Sequence, residues 1–166
     1  MRKVFNYANW NESAMVAKNK LGKYYKTISA CGCLFRKKNM LMLISYSDPN
    51  YPLLEDFGGQ VDEMDNDPID TIIRETIEET NWIITKEMMN EFVSKPHKTY
   101  YNHELKYYNV IVDVDDSFCP DTKVFGNLEI TDNIGRTVGW YDIKNIKSQL
   151  AYRLAKNKDV MDELLQ

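Results

Sequence analysis

Histidine and cysteine are scarce in this chain, at two and three among 166 residues. Cys31, Cys33 and Cys119 are odd in number and lack metal-finger spacing, and Cys31 and Cys33 alternate on a strand-like segment. They read as reduced, small apolar side chains, which argues against a disulfide or zinc framework. His97 and His103 leave little for a histidine-based triad or metal centre. No apolar run approaches the roughly 18–20 residues of a membrane span. The start, Met1-Arg2-Lys3-Val4-Phe5-Asn6, has no signal-like stretch, so a cytoplasmic protein is expected. The net charge of −4 argues against nucleic-acid binding through bulk charge. It leaves room for a local basic patch that holds a phosphorylated ligand.

What is present suits one domain. The length is enough to bury a core, and a 43% hydrophobic content is ordinary for a globular protein. Residues 1–26 read as an N-terminal helical extension packed on the domain, with a short helix over 12–21. The domain itself spans 27–166. Strands are expected at 27–36, at 40–46 (nearly all apolar, hence buried on both faces), and at 53–57. Ser47-Asp48-Pro49-Asn50 is a turn cluster. Residues 85–92 read as a short helix or turn, and 98–102 and 105–114 as strands. Residues 115–135 are polar, turn-rich and expected to cover a site. A last strand follows at 137–143, and helical spacing of Leu150, Leu154, Met161 and Leu165 closes the chain with a helix or two. The fold class is α/β, with a mixed sheet between helices.

The chemistry concentrates between residues 58 and 82. Gly58 and Gly59 end an apolar segment, and an acidic loop with Asp62, Glu63, Asp65 and Asp67 leads into a helix. Asp67, Pro68 and Asp70 supply an N-cap, a first-turn proline and an early acid. Ile69, Ile72, Ile73 and Ile77 form its apolar stripe. Glu75, Glu78 and Glu79 then project from one edge at i, i+3 and i+4. Three carboxylates so close repel unless a cation sits among them. Hard oxygen donors suit Mg²⁺, with Mn²⁺ as the other candidate. A solvated acidic helix face is the competing reading. Arg74 can pair with Glu78, and Asn81 supplies a left-handed helix exit, for which Asn81→Gly is expected to be tolerated.

Arg74-Glu75-Thr76-Ile77-Glu78-Glu79-Thr80-Asn81-Trp82, behind Gly58-Gly59-Gln60-Val61-Asp62, resembles the signature of the Nudix hydrolases. In that family a glycine and a loop glutamate precede Arg-Glu, an aliphatic, any residue, Glu-Glu, any residue, Gly and an aliphatic. This chain has one residue more before Arg74, Asp65 in the place of the loop glutamate, Thr76 for the aliphatic, and Asn81-Trp82 for the terminal pair. The resemblance implies the family's α/β/α sandwich. It also implies a Mg²⁺-dependent pyrophosphohydrolase that cleaves a phosphoanhydride in a nucleoside diphosphate linked to another moiety. Glu75, Glu78 and Glu79 would be metal ligands and catalytic groups, with Arg74 orienting them and the backbone of Gly58 and Gly59 meeting the substrate. The general base stays open among Glu79, Glu129 and Asp132.

A second likeness bears on substrate. Residues 23–36, and Asn133-Ile134-Gly135-Arg136 before Trp140-Tyr141, are similar to segments of diphosphoinositol-polyphosphate phosphohydrolases. This implies a polyphosphate rim of Lys23, Lys26 and Arg136, against the competing reading of plain surface. Dinucleoside polyphosphates, inositol pyrophosphates and capped RNA (an mRNA cap) are the candidate substrates. Tyr100, Tyr101, Tyr107 and Tyr108 offer a stacking platform for a base or, alternatively, ordinary strand packing. The alternative function is a non-catalytic Nudix-fold nucleotide-binding or regulatory module.

Overall fold

The computed structural model describes residues 5–6, 27–102, 104–118 and 120–166. The expected helix at 12–21, and the packing of residues 1–26 as an extension, lie outside the described residues. The exception is strand β1 (Phe5–Asn6), which pairs antiparallel with β2 (Thr27–Ile28).

β3 (Ala30–Lys37) and β4 (Met40–Tyr46) form a hairpin, with Lys38 left-handed at its turn. Leu41 to Ile44 are all buried, as their unbroken apolar run implies. The pleat divides them: Met42 and Ile44 enter one core, Leu41 and Leu43 the other. β5 (Leu54–Glu55) adds to β4, and β6 (Phe57–Gln60) adds to β3. The acidic loop then enters helix α1 (Pro68–Glu79), whose cap Asp67 accepts from the Ile69 and Asp70 amides. Helix α2 (Lys86–Ser94), capped by Thr85, settles residues 85–92 as a helix.

Strands β7 (Lys98–Asn102) and β8 (Tyr107–Asp113) follow, then a 3₁₀ turn (Thr122–Phe125), β9 (Leu128–Glu129) and β10 (Ile134–Asp142). The main sheet has eight strands in the order β7-β8-β3-β4-β10-β9, with β5 beside β4 and β6 beside β3. β3 and β8 run parallel and the other named pairs antiparallel, so the sheet is mixed as expected. α1 and α2 supply Ile72, Ile73 and Met89 to the core on one face. The other face is covered by α3 (Ile143–Ile146), α4 (Tyr152–Ala155) and α5 (Lys158–Leu164). The result is an α/β/α sandwich.

Several boundaries differ from the sequence reading: 27–36 divides into β2 and β3, 53–57 into β5 and the start of β6, and 105–114 shortens to β8. β10 begins at Ile134, because Ile134 and Gly135 pair with β9. The closing segment breaks into three short helices, since the Ala151 amide leaves the helical pattern to bond Leu54 O. Among the described residues no helix is long and apolar enough to cross a membrane.

Candidate active site

The helical periodicity of α1 places Arg74, Glu75, Glu78 and Glu79 together, and Arg74 is their hub. Its Nη1 donates to Glu75 Oε1 at 2.7 Å and to Glu78 Oε2 at 3.4 Å. Nε and Nη2 grip the two oxygens of Asp65 at 3.1 and 2.9 Å, and Nη2 also donates to Gln60 O at 2.8 Å. The sequence suggested a pairing with Glu78; the stronger contacts go to Glu75 and Asp65. Asp65 is buried and accepts from the Asp62 amide and the Thr71 hydroxyl as well. Burial raises its carboxyl, but the Arg74 contact and these donors outweigh it and hold the group below the ordinary value.

The glycines act through what they lack. A Cβ on Gly59 would stand 2.5 Å from the Glu75 carboxylate, and one on Gly58 would strike Cys31 O and the Tyr107 hydroxyl. The bare Gly58 backbone instead donates its N–H to Glu79 Oε2 at 2.7 Å. Glu79 is buried, and this burial drives its carboxyl well above the usual range. Arg153 opposes the shift, and the charges of Glu75, Asp56 and Glu129 add to it. Burial also raises Glu75, with Arg74 opposing and Glu78 and Asp65 adding.

Among the described residues, no three acids stand in a ready-made metal cage. The reason is local: Glu79 is turned to Gly58, and the Arg74 guanidinium bridges Glu75 and Glu78 as the resident cation. The donor set nevertheless fits a hard divalent ion in its chemistry. It is all oxygen, lies along one helix edge, and holds two carboxyls against burial and mutual repulsion.

Behind the glycines lies a buried network that sequence reading missed. Asp56 is fully buried and accepts from Tyr107 Oη at 3.0 Å, Asn109 Nδ2 at 2.7 Å and Arg153 Nε at 2.8 Å. Arg153 also pairs with Glu55 Oε2 at 3.0 Å, and its guanidinium lies 5.1 Å from the Tyr107 ring centroid. The available signal was the pair of acids, Glu55 and Asp56, inside an otherwise apolar segment that leads directly to the glycines. Buried acids need partners, and Arg153 from α4 is one.

Three expectations on substrate contacts meet this geometry differently. Lys23 and Lys26 lie outside the described residues. Arg136, expected on a solvent-facing rim, is fully buried. It donates to Phe125 O at 2.9 Å, Gly126 O at 3.1 Å and Glu79 O at 2.6 Å, because β10 turns that position inward. Tyr100, Tyr101, Tyr107 and Tyr108 are 6%, 3%, 3% and 1% exposed, so they pack rather than present a platform. Exposed aromatic surface comes from elsewhere. Tyr51 lies between two adjoining cavities of about 440 and 450 Å³, which share Tyr51 and Glu55 as walls. The first also touches Gly59, Gln60, Tyr152 and Arg153; the second touches Tyr46, Ile134 and Gly135. A further cavity of about 470 Å³, against α2 and the end of β8, contains none of the signature residues.

No family model and no curated protein matches the chain. Among solved structures it is similar to a bifunctional NMN adenylyltransferase/ADP ribose pyrophosphatase from Francisella tularensis. The form complexed with AMP and a manganese ion shares 16% identity at a TM-score of 0.50, over 93% of this chain and 48% of that one. A second structure of that enzyme gives 16%, a TM-score of 0.51, and coverage of 93% and 47%. The chain thus spans about half the length of the bifunctional enzyme. A C. elegans Ap4A hydrolase is 18% identical over 84% of this chain and 99% of that one, at a TM-score of 0.49. At such identity, likeness speaks for the fold: the chain has the Nudix-type α/β/α sandwich that its signature implied.

Proposed function

We propose that this protein is a divalent-metal-dependent pyrophosphohydrolase of the Nudix type, acting on a nucleoside diphosphate linked to another moiety. The observation that carries this reading is the edge of α1. There three carboxylates and Arg74 stand against the bare backbone of Gly58 and Gly59, beside an open cleft. Glu75, Glu78 and Glu79 would hold Mg²⁺ or Mn²⁺. When bound, such an ion supplies charge screening for the anhydride and stabilisation of the departing phosphate. Arg74 fixes the rotamers of Glu75 and Glu78 from one side and is itself held by Asp65. Gly59 leaves space for the Glu75 carboxylate. A carboxylate at the cleft takes the proton of the attacking water.

The cleft supports a nucleotide over an inositol polyphosphate. Its walls bring Tyr51 and Tyr152, which can stack on a base. Among the described residues its lining cation is Arg153, which is already paired with Glu55 and Asp56. With Arg136 buried, the described walls form no cationic rim for a densely charged inositol pyrophosphate, and no basic track for capped RNA. Dinucleoside polyphosphates and related nucleotides therefore head the substrate panel.

The test is hydrolysis of dinucleoside polyphosphates, ADP-ribose, inositol pyrophosphate and capped RNA with Mg²⁺ or Mn²⁺, products being identified by mass spectrometry. Turnover of a nucleotide that EDTA abolishes is expected, and preferred cleavage of inositol pyrophosphate would overturn the substrate assignment. One observation favours a second reading, a nucleotide-binding module without catalysis: Arg74 fills the space between Glu75 and Glu78. Tight nucleotide binding with no turnover across the panel would establish that reading instead.

A further inference from the structure

The break in the closing segment brings a cation to the cleft. The Ala151 amide bonds Leu54 O at 2.8 Å and Leu150 bridges Leu54, so the start of α4 is pinned alongside β5. Arg153, two residues on, meets Glu55 and Asp56, the acids that lead into the glycines. Its Nε donates to Asp56 Oδ1 at 2.8 Å. Its Nη2 donates to Asp56 O at 3.1 Å and stands 3.0 Å from Glu55 Oε2. The Tyr107 ring supports the guanidinium, while the Tyr107 hydroxyl and the Asn109 carboxamide hold the other oxygen of Asp56. Burial works against the charge of Arg153, but Asp56 foremost outweighs it and keeps the group a cation.

One nitrogen is left over. Nη1 donates to no described residue, and the side chain is 23% exposed, so this nitrogen reaches open space rather than lying buried without a partner. That space is the cleft, which Arg153 lines together with Gly59, Gln60, Tyr51 and Tyr152. The charge of Arg153 is also felt at the α1 edge, where it opposes the rise of the Glu79 carboxyl. An ion pair that served the fold alone would need only the Nε and Nη2 side of the fork. A guanidinium fixed at both of those nitrogens has already given up its rotamer freedom, so a ligand that meets the third loses little further entropy. The group that makes the strongest bond to such a donor is a phosphate oxygen. Tyr152 precedes Arg153 on α4, and a base stacked on it carries its 5′-phosphate one ribose away.

Resting on the pyrophosphohydrolase reading, we propose that Arg153 is a substrate-binding residue whose Nη1 contacts the 5′-phosphate of the nucleotide in the cleft. A single free nitrogen suits a single phosphate group, in keeping with a nucleotide rather than a densely charged inositol pyrophosphate. The anhydride beyond that phosphate then extends toward the glycines and the α1 carboxylates.

Binding of AMP and adenosine tests it, because the two differ only by that phosphate. Calorimetry on the full chain in EDTA, which keeps a metal ion from contributing, is expected to show AMP bound about tenfold or more tighter than adenosine. Arg153→Gln should cut this margin to about threefold or less, with adenosine held within about twofold of the parent. Arg153→Lys keeps the charge but offers one nitrogen, which Asp56 engages, so its margin should fall as well. A parent that binds both compounds alike, or a margin undiminished in Arg153→Gln, would overturn the contact. A full margin in Arg153→Lys would reduce the residue to a remote charge and overturn it too. So would an equal loss of AMP and adenosine, which would mark Arg153 as a support of the wall. Should Arg153→Gln fold poorly because Asp56 is left unpaired, Arg153→Gln with Asp56→Asn removes the buried charge and its partner together and repeats the measurement. In turnover, Arg153→Gln is expected to raise KM for a dinucleoside polyphosphate about tenfold, with a smaller change in kcat. A parent inactive on the whole panel that keeps the AMP margin would end the pyrophosphohydrolase reading and support the contact, whereas an active parent without the margin would end the contact alone.

Discussion

Glu79 shows how single residues set the terms of this site. It is buried, accepts one backbone hydrogen bond, and has Glu75 and Glu129 among its like-charged neighbours. Glu79→Gln retains the acceptor for Gly58 N–H and removes the charge. It is expected to fold, to lose several orders of magnitude in kcat, and to melt slightly higher in EDTA. Glu78→Gln should lose turnover likewise, and near wild-type rates at saturating Mg²⁺ in either variant would end the ligand assignment. Gly59→Ala should also depress kcat, because its Cβ would displace the Glu75 carboxylate. Asn81 corrects the simplest expectation. Its backbone is left-handed as the sequence suggests, but the side chain bonds three backbone groups, so Asn81→Gly is no longer neutral. A loss of about 1–3 kcal/mol in a urea titration is expected, from three deleted hydrogen bonds of which one is partly buried and two are exposed.

At the scale of elements, the helix that bears the proposed metal ligands was the most legible. Asp67, Pro68 and the isoleucine stripe announce α1, and the α1 carboxylates follow from its 3.6-residue period. β4 was legible because a fully apolar run of strand length has to be buried on both faces. The tyrosines of β7 and β8 were legible as strand packing, the reading set against an open platform, and all four are buried. Arg136 was not legible as core. A buried arginine bonded to three carbonyls looks, in one dimension, like any surface cation. The Asp56–Arg153 pair joins residues 97 apart, and no local pattern reports such a contact. α5 depends on another long-range tie. Glu163 is largely buried and receives Arg36 Nη1 at 2.9 Å, Tyr100 Oη at 3.0 Å and Lys98 Nζ. Burial raises its carboxyl, but these donors prevail and set it below the ordinary value. The stability it adds is therefore present above the unfolded value near 4.5 and lost as pH falls through the lower folded value. Glu163→Gln is expected to cost roughly 1–3 kcal/mol near neutrality, chiefly through weakened charge-assisted bonds. That penalty should shrink in acid, and a pH-independent penalty would show that the carboxylate charge is not what secures α5.

For the molecule as a whole, the electrostatics of the α1 carboxylates set stability against the proposed metal binding. Burial first, then the neighbouring acids, raise Glu75 and Glu79 above the ordinary glutamate value of 4.5 in the metal-free protein. An acid raised in this way holds its proton longer folded than unfolded. Its favourable contribution is complete below about pH 4.5, where both states are protonated, and disappears as pH rises through the folded value. The EDTA-treated protein is thus expected to lose melting temperature as pH climbs from about 5 toward 8, a trend opposite to that set by Asp65 and Glu163 in stronger acid. A divalent ion binding only the folded, ionised cluster adds stability as RT ln(1 + [L]/Kd), and its binding displaces protons. Millimolar Mg²⁺ should therefore raise the melting temperature more at pH 8 than at pH 5.5. Glu78→Gln should show a smaller Mg²⁺ shift at pH 8. A Mg²⁺ shift of equal size at both pH values, or one undiminished by Glu78→Gln, would place the ion away from the α1 carboxylates.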